Sequence, residues 1–91
     1  MYVVVTKVSV ASGRIDDAVE EVKSRVLPGL KSQAGYKAGY FTRSDDGSNG
    51  QSFVIFESKE HADAAAAGRS APPDSAFSIE SVEVREVIAS G

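Results

Sequence analysis

A few side chains in this sequence have the chemistry of acid–base or anion-stabilising groups. His61 is the only histidine, and an imidazole is the side chain expected to titrate near neutral pH, so it is the obvious general base. A lone histidine in an exposed first helical turn is more often a surface residue, and no acidic or nucleophilic partner completes a triad in the pattern. Arg43, just before a turn, either stabilises an anionic group as a fixed positive charge or is simply solvated.

Aromatic and hydroxyl side chains on two adjacent predicted strands form the second group of candidates. Alternation along the first of these strands predicts that Tyr36 and Tyr40 share one face, where a phenol either donates to a substrate oxygen or lies in a dimer interface. On the next strand, Ser52 and Phe56 either line a substrate pocket, with the ring stacking on a flat ligand, or belong to the core and the strand end. Catalytic candidates are therefore Tyr40, Arg43 and His61, and pocket candidates are Tyr36, Ser52 and Phe56.

Metal and disulfide chemistry is not expected. The chain has no cysteine and one histidine, which excludes a disulfide framework and a structural zinc site. The paired carboxylates Asp45-Asp46 fall in a Gly- and Ser-rich turn, where solvated carboxylates are more common than catalytic ones. We expect no metal and no cofactor.

Length and charge limit the classes of protein to consider. The 91 residues form a single domain, 1–91, and a chain of this size removes only about 63% of its unfolded surface from water, so oligomerisation is the expected supplement to the core. The net charge of −3 is spread without runs, which argues against nucleic acid. No apolar stretch is long enough for a membrane span. The absence of cysteine suggests the cytoplasm.

The periodicity predicts the elements that position these residues. Tyr2 to Val10 is a strand rich in valine, and an amphipathic helix follows from Arg14, which Pro28 should end at Leu27. The remaining segments are a hairpin of Tyr36–Ser44 with a strand containing Phe53–Phe56, and a short helix Lys59–Ala67 between Ser58 and Gly68. A last strand, Ala76–Ala89, has a bulge or a bend between Ile79 and Val82, where the apolar positions change face.

This order predicts an α+β fold: a ferredoxin-like βαββαβ arrangement with a four-stranded antiparallel sheet and two helices on one face. The runs Val3-Val4-Val5 and Phe53-Val54-Ile55-Phe56 are apolar toward both faces of the sheet, whereas a half-exposed sheet should alternate. We therefore expect a homodimer through the open sheet face.

The chain resembles the dimeric α+β barrel superfamily and, within it, the antibiotic-biosynthesis-monooxygenase-like proteins. The resemblance covers nearly the whole length and rests on four segments: Ser12-Gly13-Arg14, Leu27-Pro28-Gly29-Leu30, Gln33-Ala34-Gly35-Tyr36 and Phe53-Val54-Ile55-Phe56-Glu57-Ser58-Lys59-Glu60. It implies two sheets packed face to face as a dimeric barrel, with a pocket between sheet and helices in each subunit.

The same resemblance implies cofactor-independent monooxygenase chemistry on a small phenol or quinol, or haem degradation. Relatives of both kinds tend to carry Trp where Phe56 stands, and haem degraders carry Asn where Thr6 stands and a histidine after the second helix, whereas His61 lies in its first turn. Haem is therefore not expected. The alternative function is a non-catalytic homodimeric module that binds a small ligand or only assembles; an amino-acid-binding regulatory domain of the ACT type shares the strand order but usually accompanies a catalytic domain.

Overall fold

The computed structural model describes residues 1–91 and has the predicted ferredoxin-like order. Its elements are β1 (Tyr2–Val10), α1 (Ile15–Glu21), a π-helical segment (Val22–Val26), α2 (Leu27–Lys31), β2 (Tyr36–Arg43), β3 (Asn49–Phe56), α3 (Lys59–Ala67) and β4 (Phe77–Glu86). The strands form one antiparallel sheet in the order β2-β3-β1-β4, so the α+β fold predicted from the sequence is confirmed.

The sheet has one face toward the helices and one open face. On β1 the even-numbered residues point toward the helices, and among them Val4 and Thr6 are almost fully buried. Their direct partners on β3 are Val54 and Ser52, which are also buried. Alternate residues of the central strands therefore form the floor on which the helices pack.

A bulge in β2 changes which residues share a face. Tyr36 pairs with Phe56 and Tyr40 pairs with Phe53, and the register shifts by one residue just after Tyr36. Because paired residues point to the same side, Tyr36 faces the helices and Tyr40 the open face. The prediction that the two tyrosines share a face was wrong, since strict alternation cannot detect the extra residue at Lys37.

The bulge predicted in β4 is confirmed. Ile79 pairs with Val8 and Val82 with Thr6, so one extra residue lies between them and both apolar side chains point toward the helices. The sequence shows this bulge because Ile79 and Val82 are both apolar but three positions apart, which breaks the alternation of a regular strand. The bulge in β2 leaves no such break in the apolar pattern.

The first helix does not end at Pro28 as predicted. Residues 15–31 are continuously helical, and Leu27, directly before the proline, has helical angles (φ −64°, ψ −47°). The π-helical turn immediately before it widens the helix where the proline ring would otherwise press on the carbonyl of Ser24. The helix therefore extends one more turn and buries Leu30.

The second helix, α3, has the predicted bounds. The Ser58 hydroxyl accepts a hydrogen bond from the His61 backbone N–H at 3.3 Å, which caps the first turn, and Gly68 ends the helix. Ala62 and Ala65 lie on the sheet with at most 1% exposure, so the small side chains bring the helix close to Phe56 in the core.

The open sheet face keeps partly exposed apolar residues. They lie on β1, β2 and β3 and are Val3, Val5, Ala38, Phe53 and Ile55. Tyr40, on the same face, is 64% exposed. No helix of the chain is long and apolar enough to cross a membrane.

Candidate ligand-binding cleft

The main concave feature is a cleft between the first helix and the helix-facing side of the sheet. Its volume is about 740 Å³, within the range of small-molecule sites. Its walls are largely apolar, formed by Val8, Val10, Ile15, Ala18, Val19, Val22, Val26, Leu27, Phe41 and Phe77. Such a surface suits a largely apolar ligand.

The cleft lies where the sheet is not covered by α3. That helix packs on β1, β3 and β4, while β2 packs mainly against the end of the first helix. On the floor, Gly39 and Gly50 have no side chains to occupy the space. A Cβ added to Gly39 would lie 3.2 Å from the Tyr36 hydroxyl, so this glycine also lets the Tyr36 ring lie across β2.

Two hydroxyl groups lie side by side in the floor. Thr6 and Ser52 are direct partners on β1 and β3, are 1% and 5% exposed, and line the cleft. Thr6 Oγ1 accepts a hydrogen bond from Arg69 Nε at 3.3 Å, whereas Ser52 Oγ has no hydrogen-bond partner. A buried polar group that finds no partner costs about 1–3 kcal/mol, so the Ser52 hydroxyl is a donor that the chain itself leaves available to the cleft.

Arg69 brings a positive charge to this floor. It is half-buried, and no carboxylate lies within 4 Å of its guanidinium. Burial, followed by the nearby charge of Arg25, lowers the pKa of Arg69 below its ordinary value. The cleft therefore contains a cation that the protein itself does not neutralise.

The loop between Arg69 and β4 is fixed by Glu21 of the first helix. Its carboxylate accepts hydrogen bonds from the Ala76 backbone N–H and the Ser75 hydroxyl, both at 2.6 Å, and from Arg25 at 2.9 Å. Burial raises the pKa of Glu21, but the hydrogen bonds from Ala76, Ser75 and Arg25 outweigh burial and lower the pKa overall. Glu21 is thus already satisfied by these partners.

Of the three pocket candidates, Ser52 alone lines the cleft. Phe56 is fully buried in the core, and Tyr36 packs edge-to-face on it with ring centroids 6.2 Å apart. Tyr36 approaches the cleft only through its hydroxyl beside Gly39.

The three catalytic candidates are not brought together. Tyr40 and Arg43 are exposed and border the cleft on the edge strand β2. His61 lies outside the cleft, packed against Gly35, with Nδ1 3.0 Å from the Ser58 hydroxyl.

The acidic turn has a structural role. Asp46 accepts hydrogen bonds from the Ser48 backbone N–H and from the hydroxyls of Ser48 and Ser44, which lower the pKa of Asp46 to about 2. No group of three or more His, Cys, Asp or Glu side chains is arranged to hold a metal ion.

Sequence reasoning missed most of the residues that line the cleft, among them Thr6, Phe41 and Arg69. Thr6 had a usable signal, because it is the one polar residue among the valines on the buried face of β1. Phe41 pairs with the buried Ser52 and so lies on the helix-facing side of β2, opposite to Tyr40. Arg69 carried no local signal, since a basic residue after a helix end is ordinary.

The fold and the cleft together define a small ferredoxin-like α+β protein with a ligand-sized space between helix and sheet. The structure is similar to that of MhuD, solved as an Arg-to-Ser mutant with two manganese protoporphyrin IX molecules bound per active site: TM-score 0.69, 20% identity, covering 100% of this chain and 98% of that chain. No protein-family model and no curated protein matches the sequence. The likeness shows the fold, and membership of the monooxygenase-like family stays a prediction.

Proposed function

We propose that the cleft binds a small, flat aromatic molecule such as a phenol or quinol. The observation that carries this proposal is the largely apolar space of about 740 Å³, with polar groups in its floor, on its helical wall and along the edge strand β2. Phe41 and Phe77 supply aromatic surface on which a planar ring can pack. The similar structure of MhuD, with two porphyrin derivatives per active site, supports flat ligands as occupants of this fold.

A metal-ligated porphyrin does not fit the residues of this cleft. Axial ligands to haem iron are His, Cys, Met or Tyr side chains. The chain has no cysteine, its one histidine, His61, lies outside the cleft, and Met1 is exposed at the terminus. Tyr40 borders the cleft, but its pairing with Phe53 directs it to the open face. Tyr36 does not line the cleft, because its ring packs edge-to-face on the buried Phe56. The ligand we propose is therefore a metal-free aromatic.

Cofactor-independent oxygenation of this ligand is the second candidate function. Asp16 and Glu20 lie on the helical wall, where a carboxylate oxygen accepts a hydrogen bond from a phenolic O–H and orients the ring. The electrons then come from the substrate: one atom of O₂ forms a bond to a ring carbon, and the other leaves as water with two hydrogens of the substrate. Oxygen uptake with a panel of phenols and quinols tests this step separately from binding.

The assembly we propose is a homodimer through the open sheet face. This face carries partly exposed apolar residues on three adjacent strands, with Phe53 and Val5 paired at its centre. Contiguous apolar surface of this kind is typical of an interface, and a second copy supplies a matching surface under two-fold symmetry. Only 13 of the 91 residues are buried within one chain, so added burial would stabilise each copy.

Binding is tested by titrating the protein with 2-naphthol and following naphthol fluorescence and amide NMR shifts. Val19→Phe, on the helical wall, fills part of the cleft and should weaken binding about tenfold or more. Ile88→Phe adds the same aromatic ring at a 92% exposed position and should bind like the wild type. Binding that Val19→Phe leaves intact, or no binding to the wild type, overturns the proposal.

A further inference from the structure

We propose that Arg69, together with the hydroxyls of Ser52 and Thr6, forms an anchor for a carboxylate, and that the natural ligand of the cleft is an aromatic carboxylic acid. The inference rests on the proposed function, because it assigns the chemical class of the molecule that the cleft binds. The anchor is not needed for the cleft to accept a neutral ring, so the two ideas can fail separately.

The first observation is the hydrogen bonding of Arg69. Its Nε donates to Thr6 Oγ1, which fixes the guanidinium against the floor, and the two Nη groups make no hydrogen bond within the protein. A guanidinium presents its donors as a planar fork that matches the two oxygens of a carboxylate. Because the Nη groups of the half-buried Arg69 have no partner in the protein, they are available to bind the carboxylate of a ligand in the cleft.

The second observation is the buried hydroxyl of Ser52. This residue is 5% exposed, lines the cleft, and its Oγ has no partner. It lies directly across from Thr6, whose Oγ1 accepts from Arg69 and so keeps its own O–H as a donor. Two hydroxyl donors and a guanidinium therefore meet in one part of the floor, which is a donor-rich arrangement suited to an anion.

The protein offers no acid of its own to this position. Glu21, on the facing helix, already accepts hydrogen bonds from Ser75, Ala76 and Arg25. Arg25 lies near enough for its charge to lower the pKa of Arg69, but it is itself ion-paired with Glu21 at 2.9 Å, so the positive charge available to a ligand is that of Arg69. The apolar walls then favour an acid whose body is a flat ring and whose charge is at one end.

The experiment compares 2-naphthoate with 2-naphthamide, which have the same ring and nearly the same shape but differ in charge at neutral pH. Calorimetry on the wild-type protein should show naphthoate bound about tenfold or more tighter, as expected for one charge-assisted hydrogen-bonded pair. Arg69→Gln should remove this preference, because it weakens naphthoate, which loses a charge-assisted pair, far more than naphthamide, whose neutral carbonyl loses only a hydrogen bond. Ser52→Ala should reduce the preference in part.

Two further variants separate the anchor from general electrostatics and from misfolding. Lys31→Gln removes one positive charge at an exposed site and should keep the preference for naphthoate. Arg69→Lys keeps the charge but loses the fork, and it should retain part of the preference. Circular dichroism and thermal melting establish that each variant is folded.

The possible results discriminate between the two proposals. Equal binding of both probes to the wild type, or a preference that survives Arg69→Gln, overturns the carboxylate anchor and leaves the aromatic cleft standing. If neither probe binds, the proposed function itself fails. A preference lost in Arg69→Gln and kept in Lys31→Gln establishes the anchor.

Discussion

Glu21 and Ala76 are joined by a 2.6 Å hydrogen bond from the backbone N–H of Ala76 to the Glu21 carboxylate. The two residues are 55 positions apart in the chain, and their contact ties the first helix to the loop that precedes β4. Arg69 lies at the start of that loop. The hydrogen bond therefore holds the loop between α3 and β4 in place, and with it the backbone that follows Arg69.

Glu21→Gln should lower the free energy of unfolding at neutral pH, and the free energy of unfolding should then fall less steeply as the pH is lowered. The folded-state pKa of Glu21 lies below its ordinary value of 4.5, so the stabilisation by the ionised carboxylate is fully present above that value and is lost as pH falls through the folded-state pKa. At neutral pH we expect a loss of about 1–2 kcal/mol, the size of a lost charge-assisted hydrogen bond. Urea unfolding at neutral and acid pH measures both effects.

The matched control for this change is Glu20→Gln. Glu20 is the exposed neighbour of Glu21 and makes no side-chain hydrogen bond or ion pair. It should unfold like the wild type at neutral pH. A Glu21→Gln protein whose stability falls with acid as steeply as that of the wild type would show that Glu21 does not supply the pH dependence.

Ser52→Ala should leave the free energy of unfolding unchanged or raise it by up to about 1 kcal/mol, because it removes a buried hydroxyl that has no partner. Thr6→Val is the comparison: it removes a hydroxyl that does accept a hydrogen bond, from Arg69, and should cost about 1 kcal/mol. Thermal and chemical denaturation give both values. Equal destabilisation by the two variants would contradict the assignment of Ser52 as unsatisfied.

Gly35→Ala should destabilise the protein by about 1–3 kcal/mol. Gly35 has φ +81°, a left-handed conformation that favours glycine, and an added Cβ would collide with the imidazole of His61. Gly29→Ala provides the control, since Gly29 is helical and nothing lies within 4 Å of the new methyl. That control should be neutral or slightly stabilising in urea unfolding, and a neutral Gly35→Ala would mean that the loop relaxes without cost.

Phe53→Arg should convert the proposed homodimer to a monomer. The side chain lies on the open sheet face beside Val5, where a charge would be desolvated in the interface without a partner. Light scattering at micromolar concentration measures the change, with Ser12→Arg, in the exposed loop before the first helix, as the control for added charge. A wild-type chain that is monomeric at this concentration would refute the dimer proposal.

The fold was predictable because its signals are local. The valine-rich strand β1, the Ser58 cap and Gly68 end of α3, and the turn between β2 and β3 each occupy a short window of sequence. The predicted helix end at Pro28 was wrong, because a π-helical turn accommodates the proline ring and the helix continues. The continuation buries Leu30 in the core, which is a tertiary contact that the local sequence does not show.

The candidate site was predictable only in part. Ser52 was found because it lies on a strand whose pattern is clear. Tyr36 and Tyr40 were grouped wrongly because a single extra residue at Lys37 reverses the faces of β2 without leaving an apolar signature.

The sequence by itself determined the order of the elements, the ferredoxin-like topology and the apolar character of both sheet faces, because hydrophobic periodicity and turn residues act over a few positions. Only the tertiary structure decided that Arg69 meets Thr6, 63 positions away, that Ser52 is buried without a partner, and that Phe56 fills the core instead of the cleft. Burial and hydrogen-bond satisfaction are properties of segments brought together from different parts of the chain. They are set by how the first helix and the loop after α3 close over the sheet, which no local pattern records.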